Sequence, residues 1–258
     1  MPEPADRPMG ILAEPNPDRA LHASLTGAVY ARHPVRTHLV TDADDAVEVV
    51  RRYASPLGAE VAVVAVSERM VAITQGRSYP MESIRAGRLA RFLVRFVTRP
   101  GYGIGLGTPE TMQLAISEVG APRILLAAAA SAVTRPLGIH GVFYRVAGRQ
   151  AAAIDGPTSY TIAPYNRAAT LGPKDPDGAA RRMAAALGVP VAVIDANDAG
   201  CNVLGLSRGL DRRWVARLFA DNPLGQASEQ TPVCLVRRVN WPAGEQRPPE
   251  PSRRITPP

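Results

Sequence analysis

Short runs of apolar, mostly β-branched residues alternate with segments of helical period along the middle of this chain. That alternation restricts the fold more than any other feature. Glu60–Val66 and Val189–Ile194 read as buried strands, and Val35–Val40, Val142–Val146, Ala151–Ile154 and Pro232–Val239 read as further strands. Between them, Asp42–Tyr53 predicts a helix with acids in its first turn. Ser83–Val97 predicts an amphipathic helix with Leu89, Phe92, Leu93 and Phe96 on its inner face. Thr108-Pro109 supplies an N-cap and a first-turn proline to a helix with Met112, Ala115, Ile116 and Val119 inward, and Gly120 stops it. Asp175-Pro176 opens another helix, with Ala180, Met183 and Leu187 aligned and Gly188 at its end, and Asp211–Phe219 predicts one more. Arg123–Val133 is Ala-rich and apolar with no readable period. The expected class is α/β, or α+β, with mixed sheets and flanking helices.

Aromatics make up only 5% of the 258 residues, so Ala, Val, Leu and Ile must build the core. Residues 1–27 are Pro-rich and aperiodic, and residues 240–258 are Pro/Arg-rich. Both read as disordered tails around one domain spanning 28–239. The formal charge is +7, and Lys174 is the sole lysine, so any lysine-dependent step must use it. The longest apolar run, Ile124 to Val133, is too short to span a bilayer, and the N-terminus lacks the apolar core of a signal peptide. A soluble cytoplasmic protein with no membrane partner is the expectation. Cys201 and Cys234 have no metal-ligand spacing and form no disulfide framework.

Several segments carry candidate chemistry. Val191–Ile194 runs into Asp195-Ala196-Asn197-Asp198-Ala199-Gly200, so oxygen ligands follow a strand. Such residues form turns, yet ligands of open α/β sheets bind outside strand C-termini, where oxygen donors suit Mg²⁺ or Mn²⁺. Ile154-Asp155-Gly156 and Gly225-Gln226-Ala227-Ser228-Glu229 repeat this chemistry. Gly205-Leu206-Ser207-Arg208-Gly209 has the spacing of a nucleophile elbow, but His22, His33, His38 and His140 all precede the serine, so it reads as a loop. Gly101, Gly103, Gly105 and Gly107 alternate before Thr108 without P-loop spacing and read as a turn. Arg88, Arg91, Arg95 and Arg99 form a basic stripe that suits an acidic partner or, as most such faces do, merely meets solvent.

Taken in order, these segments resemble the γ-glutamyl ligase family that extends the deazaflavin coenzyme F-420. Val64–Arg77 is similar to that family's strand–turn–helix element near nucleotide. Ala153-Ile154-Asp155-Gly156 with Asn166 is similar to its first metal and nucleotide segment. Leu171-Gly172-Pro173-Lys174-Asp175-Pro176-Asp177 is similar to the turn before the helix that leads to its second metal aspartate, here Asp195. Gly225-Gln226 through Pro232-Val233 is similar to its C-terminal nucleotide loop. The chain departs from the family at Ile73, where a nucleotide-contacting lysine is expected, and at Ala196, where threonine follows the aspartate.

The resemblance implies an amide-bond-forming ligase that uses GTP or ATP with Mg²⁺ or Mn²⁺, acts through an acyl phosphate, and forms an intertwined homodimer. It implies metal binding by Asp155 and Asp195 with Gln226 and Asp198. It also implies nucleotide contacts from Ser67, Glu68, Asn166, Gly225, Gln226, Ser228, Glu229 and Thr231, with Arg69 or Lys174 replacing the missing lysine. Its other partners would be a small carboxylate acceptor and an amino-acid-like amine. The alternative class is a non-catalytic nucleotide- or nucleic-acid-binding homologue using the Arg88–Arg99 face.

Overall fold

The computed structural model describes residues 8–55, 60–97 and 105–252, and divides into two compact units. The first comprises residues 1–76 and 173–258, the second residues 77–172. Gly101, Gly103, Arg99 and the final arginines Arg253 and Arg254 lie outside the described residues.

The first unit is built on a seven-stranded mixed sheet. Its strands are β1 (Gly10–Ile11), β2 (His22–Leu25), β3 (Ala28–Arg36), β4 (Val61–Ser67), β7 (Val191–Asn197), β8 (Gly200–Leu206) and β9 (Val233–Val239). Along the sheet the order is β1-β3-β9-β4-β7-β8, and β2 also pairs with β3. β4 and β7 are parallel, with Val64 opposite Val191 and Ser67 opposite Ile194. Both are buried along their apolar length, as central strands covered on two faces must be. The covering helices are α1 (Ala46–Ala54), α2 (Glu68–Thr74), α8 (Pro176–Leu187) and α9 (Arg212–Leu218). Asp45 caps α1 by accepting from the Val47 and Glu48 N–H groups. Asp175 caps α8 by accepting from Gly178, and Gly188 ends it in the left-handed conformation that glycine adopts without strain.

Several expectations for this unit are corrected. The first long strand is Ala28–Arg36 rather than Val35–Val40. Residues 8–27 are no tail: β1 and β2 both pair with β3, and Leu12, Asn16, Ala23 and Leu25 are buried. Beyond β9, Trp241 packs edge-on against His22, the Pro249 carbonyl accepts from Ser24 N–H, and Glu250 pairs with Arg217, so residues 240–252 also lie on the body. Gly205-Leu206 continues β8 into a bulged pairing with β7 rather than forming a loop, and Ser207 bonds Val191 through both its amide and its hydroxyl. The nearest following helix begins only at Arg212, so no elbow forms.

The second unit is largely helical. It contains β5 (Ser78–Pro80), α3 (Arg88–Leu93), α4 (Pro109–Val119), α5 (Ala121–Thr134), α6 (Val142–Ala147), α7 (Arg149–Ala152) and β6 (Ala168–Thr170), with β5 and β6 pairing antiparallel. Its core gathers Leu93, Leu106, Met112, Ile124, Ala147 and Ile154. Thr108 and Thr111 form a reciprocal capping box at the start of α4. Val142–Val146, expected as a strand, falls in α6, and Ala151–Ile154, also expected as a strand, forms the end of α7 and the turn after it. Gly141 and Gly148, at φ 76° and 91°, set the two helix starts. α3 gives way to a 3-10 turn at Val94–Phe96, and Phe92 and Phe96 are 53% and 64% exposed instead of facing inward. Among the described residues no single helix is long and apolar enough to cross a membrane. α4 and the helix after it pass that test only as a pair, bent by 117°.

Candidate functional site at one edge of the large sheet

Strand direction decides which residues of the first unit can meet. β3, β4 and β7 run one way and β9 runs against them, so the C-termini of three strands and the start of the fourth share an edge. Ser67 N–H donates to the Pro232 carbonyl at 2.7 Å, and Thr37 N–H donates to the Gln230 carbonyl at 3.1 Å. This edge therefore carries Arg36, Ser67, Glu68, Asp195 and the 225–231 loop, from four distant stretches of sequence. It is the place where open α/β sheets bind ligands.

β7 does not stop at Ile194. It continues through Asp195 to Asn197 and turns back into β8 over Asp198-Ala199, with Asn197 opposite Gly200. The Ala199 N–H donates to Asn197 Oδ1 at 2.9 Å, and Asn197 Nδ2 donates to Asp195 Oδ1 at 3.4 Å. Gln226 reaches this turn, its Oε1 accepting from Asp198 N–H at 3.0 Å. Asp198 pairs with Arg19 at 2.8 Å, so its charge is spent on ordering the hairpin rather than standing open to a cation. Arg19 also donates to the Asp221 carbonyl at 3.0 Å and so ties the hairpin to the 221–231 segment.

The loop itself is locally over-determined. Gly225 has φ 85°, and a Cβ there would lie 2.7 Å from the Glu229 carboxyl carbon. Glu229 Oε2 accepts from Ala227 N–H at 2.7 Å, and Ser228 is exposed between them. The Thr231 hydroxyl accepts from Asn16 Nδ2 at 2.8 Å and donates to the Leu224 carbonyl at 2.6 Å. Buried and doubly bonded, it holds the loop's base. Lys174 is exposed, and its backbone pairs with the Gln75 side chain at 2.7 and 2.9 Å, one helix length from Ser67. Arg69 lies in the first turn of α2.

Asp155 and Asn166 belong to the second unit. Asp155 is exposed and forms a backbone bridge with Thr170, both bonds 2.9 Å. Asn166 lies in a 3-10 turn, Tyr165–Arg167, and its N–H donates to the Ile162 carbonyl at 3.2 Å.

Both thiols are poor nucleophiles. Burial pushes Cys201 up to about 12, with the Asp195 carboxylate adding to it, and burial pushes Cys234 up to about 12. Among the described residues no three His, Cys, Asp or Glu side chains are gathered into a metal cage. The donors at the sheet edge are one aspartate, a carboxamide oxygen and two glutamates, Glu68 and Glu229. That set is too sparse for a closed structural cage, but it matches Mg²⁺, which keeps waters and takes one or two carboxylates plus substrate phosphates. Sequence reasoning missed two residues here. Arg36, buried at the end of β3, donates to Gln230 Oε1 at 3.1 Å, and Arg19 anchors the hairpin. Neither lies in a recognisable motif. No protein-family model matches the chain, and no curated protein matches it at a significant level.

Proposed function

We propose that the protein is an NTP- and divalent-metal-dependent amide-forming ligase, with its nucleotide at the edge formed by β3, β4, β7 and β9. One observation carries this reading: the parallel β4–β7 pair and the antiparallel β9 bring Ser67-Glu68, Asp195 and Gln226–Glu229 to a single sheet edge. In the reaction, an oxygen of the acceptor carboxylate attacks the γ-phosphorus of GTP or ATP, and the bond to the nucleoside diphosphate breaks. The amine nitrogen then attacks the acyl carbon, the bond to phosphate breaks, inorganic phosphate leaves, and the nitrogen gives up a proton. Mg²⁺ or Mn²⁺, when bound, neutralises phosphate charge as it shifts toward the leaving oxygen. Asp195 and Gln226 would hold that cation, while Arg36 would add fixed positive charge at the same edge. Glu68, Ser228 and Glu229 would position the nucleotide. The roles of Asp155 and Asn166 and the homodimer rest on the resemblance.

The test is thermal stabilisation by GTP or ATP, each with Mg²⁺ or Mn²⁺. A nucleotide at a hundred times its Kd should add about 2.7 kcal/mol to stability. Asp195→Asn should abolish this gain and the release of phosphate while leaving the unliganded melting temperature in place. Stabilisation that survives Asp195→Asn unchanged would remove the assignment.

A further inference from the structure

The second unit leaves one helix face uncovered. α5 buries Ile124 and Ala127 in the unit's core. On its other side Leu125, Leu126, Ala129 and Val133 are exposed, as is Leu137 in the 3-10 turn that follows (Arg135–Leu137), with Leu126, Val133 and Leu137 at 63%, 70% and 71%. Within α5, three- and four-residue spacing aligns Leu125, Leu126, Ala129 and Val133 into a stripe ~12 Å long at 1.5 Å per residue, which Leu137 extends. Apolar stripes of this kind on a soluble surface mark a partner.

Charge identifies the partner's chemistry. From Val119 to Ile154 the chain contains no acidic residue, while Arg123, Arg135, Arg145 and Arg149 are all exposed. Residues 77–172 hold eleven arginines against four acids (Glu82, Glu110, Glu118 and Asp155), which accounts for the entire +7 of the chain. A second copy laid on this face would bring Arg123 and Arg135 against their own counterparts with no carboxylate between them. Nucleic acid would meet an aliphatic stripe offering neither stacking planes nor hydrogen bonds. An anionic phospholipid surface satisfies both features: aliphatic side chains enter the headgroup boundary and guanidiniums meet phosphates. α4 buries Met112, Leu114 and Ala115 within its own unit and meets α5 at a sharp bend, so α5 is placed to lie in an interface and not to span one.

We infer that α5 docks the protein reversibly on the surface of an anionic phospholipid bilayer. Such docking is a surface contact and needs no spanning segment.

The experiment is co-sedimentation of the full chain with vesicles of phosphatidylcholine alone, or with equal parts of phosphatidylcholine and phosphatidylglycerol. Binding is expected only to the mixed vesicles, and it should weaken as salt rises. Leu126→Asp with Val133→Asp should weaken it more than about tenfold, because both side chains leave the apolar layer and two like charges join the lipid's. Arg135→Gln should weaken it about fivefold. All three sites are exposed, so circular dichroism and the melting temperature should hold. Failure to bind mixed vesicles, or binding that ignores these variants, overturns the inference. So does an Asp double variant that turns a dimer into a monomer by light scattering, or that loses binding to RNA instead of vesicles.

Discussion

Asp221→Ala should be among the most damaging single substitutions in this protein. Arg32, in the middle of β3, has a side chain with 0% exposure, while that of Asp221 is 16% exposed. The guanidinium donates to both carboxylate oxygens of Asp221, one at 2.8 Å, and to the carbonyls of Leu218 and Ala20 at 2.9 Å each. A buried charge stripped of its partner costs about 3–5 kcal/mol. Two carbonyl acceptors remain here and the emptied space borders solvent, so the lower end, about 3 kcal/mol, is expected. At about 2–4 °C per kcal/mol for a chain of this size, the melting temperature should fall by about 9 °C. Arg32→Met combined with Asp221→Ala removes both charges and should recover a substantial part of that loss, since no ion is left desolvated. Urea unfolding followed by circular dichroism gives the three variants on one scale. A loss below about 1 kcal/mol for Asp221→Ala alone would refute the reasoning and mean that water reaches Arg32.

The same substitution tests a link to the sheet edge. Arg32 holds the Ala20 carbonyl, while neighbouring Arg19 bridges the Asp221 carbonyl and the Asp198 carboxylate. Loosening this corner frees the hairpin turn that Gln226 grips. Asp221→Ala should therefore weaken nucleotide-dependent stabilisation beyond the loss in the unliganded protein.

Two further outcomes follow from local geometry. Burial, with His33 and Arg32 nearby, lowers His22 below its ordinary 6.5; its contribution to stability is therefore complete above that value and lost as pH falls through the lower folded value, and His22→Gln should flatten the slope of stability against pH on the acid side of 6.5. Gly205→Ala would place a Cβ 2.2 Å from the Pro176 carbonyl and should cost about 3 kcal/mol in urea unfolding, whereas Gly209→Ala meets open space and should cost only the ~1 kcal/mol of its left-handed backbone.

What was legible in the sequence follows from how locally each element is determined. β4 and the first parts of β7 and β9, Val191–Ile194 and Val233–Val236, are unbroken apolar runs because both their faces are covered, and composition alone shows that. The caps at Thr108, Asp175 and Gly188 are also written locally, since the residue that ends a helix sits at its end. β1 and β2 were hidden because Pro-rich composition describes their surroundings, whereas what holds them is the distant edge of β3. Val142-Phe143-Tyr144 has strand propensity, yet flanking glycines and packing against α5 make it helical. Phe92 and Phe96 fit a helical period that the chain abandons at Val94. The side chains that α3 does bury are Ala90 and Leu93, one residue column away from Phe92 and Phe96.

The candidate site divides along the same line. Asp195, Gln226 and Glu229 announce themselves as polar interruptions beside strands, because a sheet edge must turn and turns favour those residues. Arg36 and Arg19 give no such signal. Arginine makes up 29 of the 258 residues, so its presence at any one position carries little information. What distinguishes Arg36 is the register that sets the end of β3 beside the start of β9, a pairing between residues two hundred positions apart. The acidic and amide half of the edge could therefore be read from the chain, whereas its cationic half emerges only from the order of strands in the sheet.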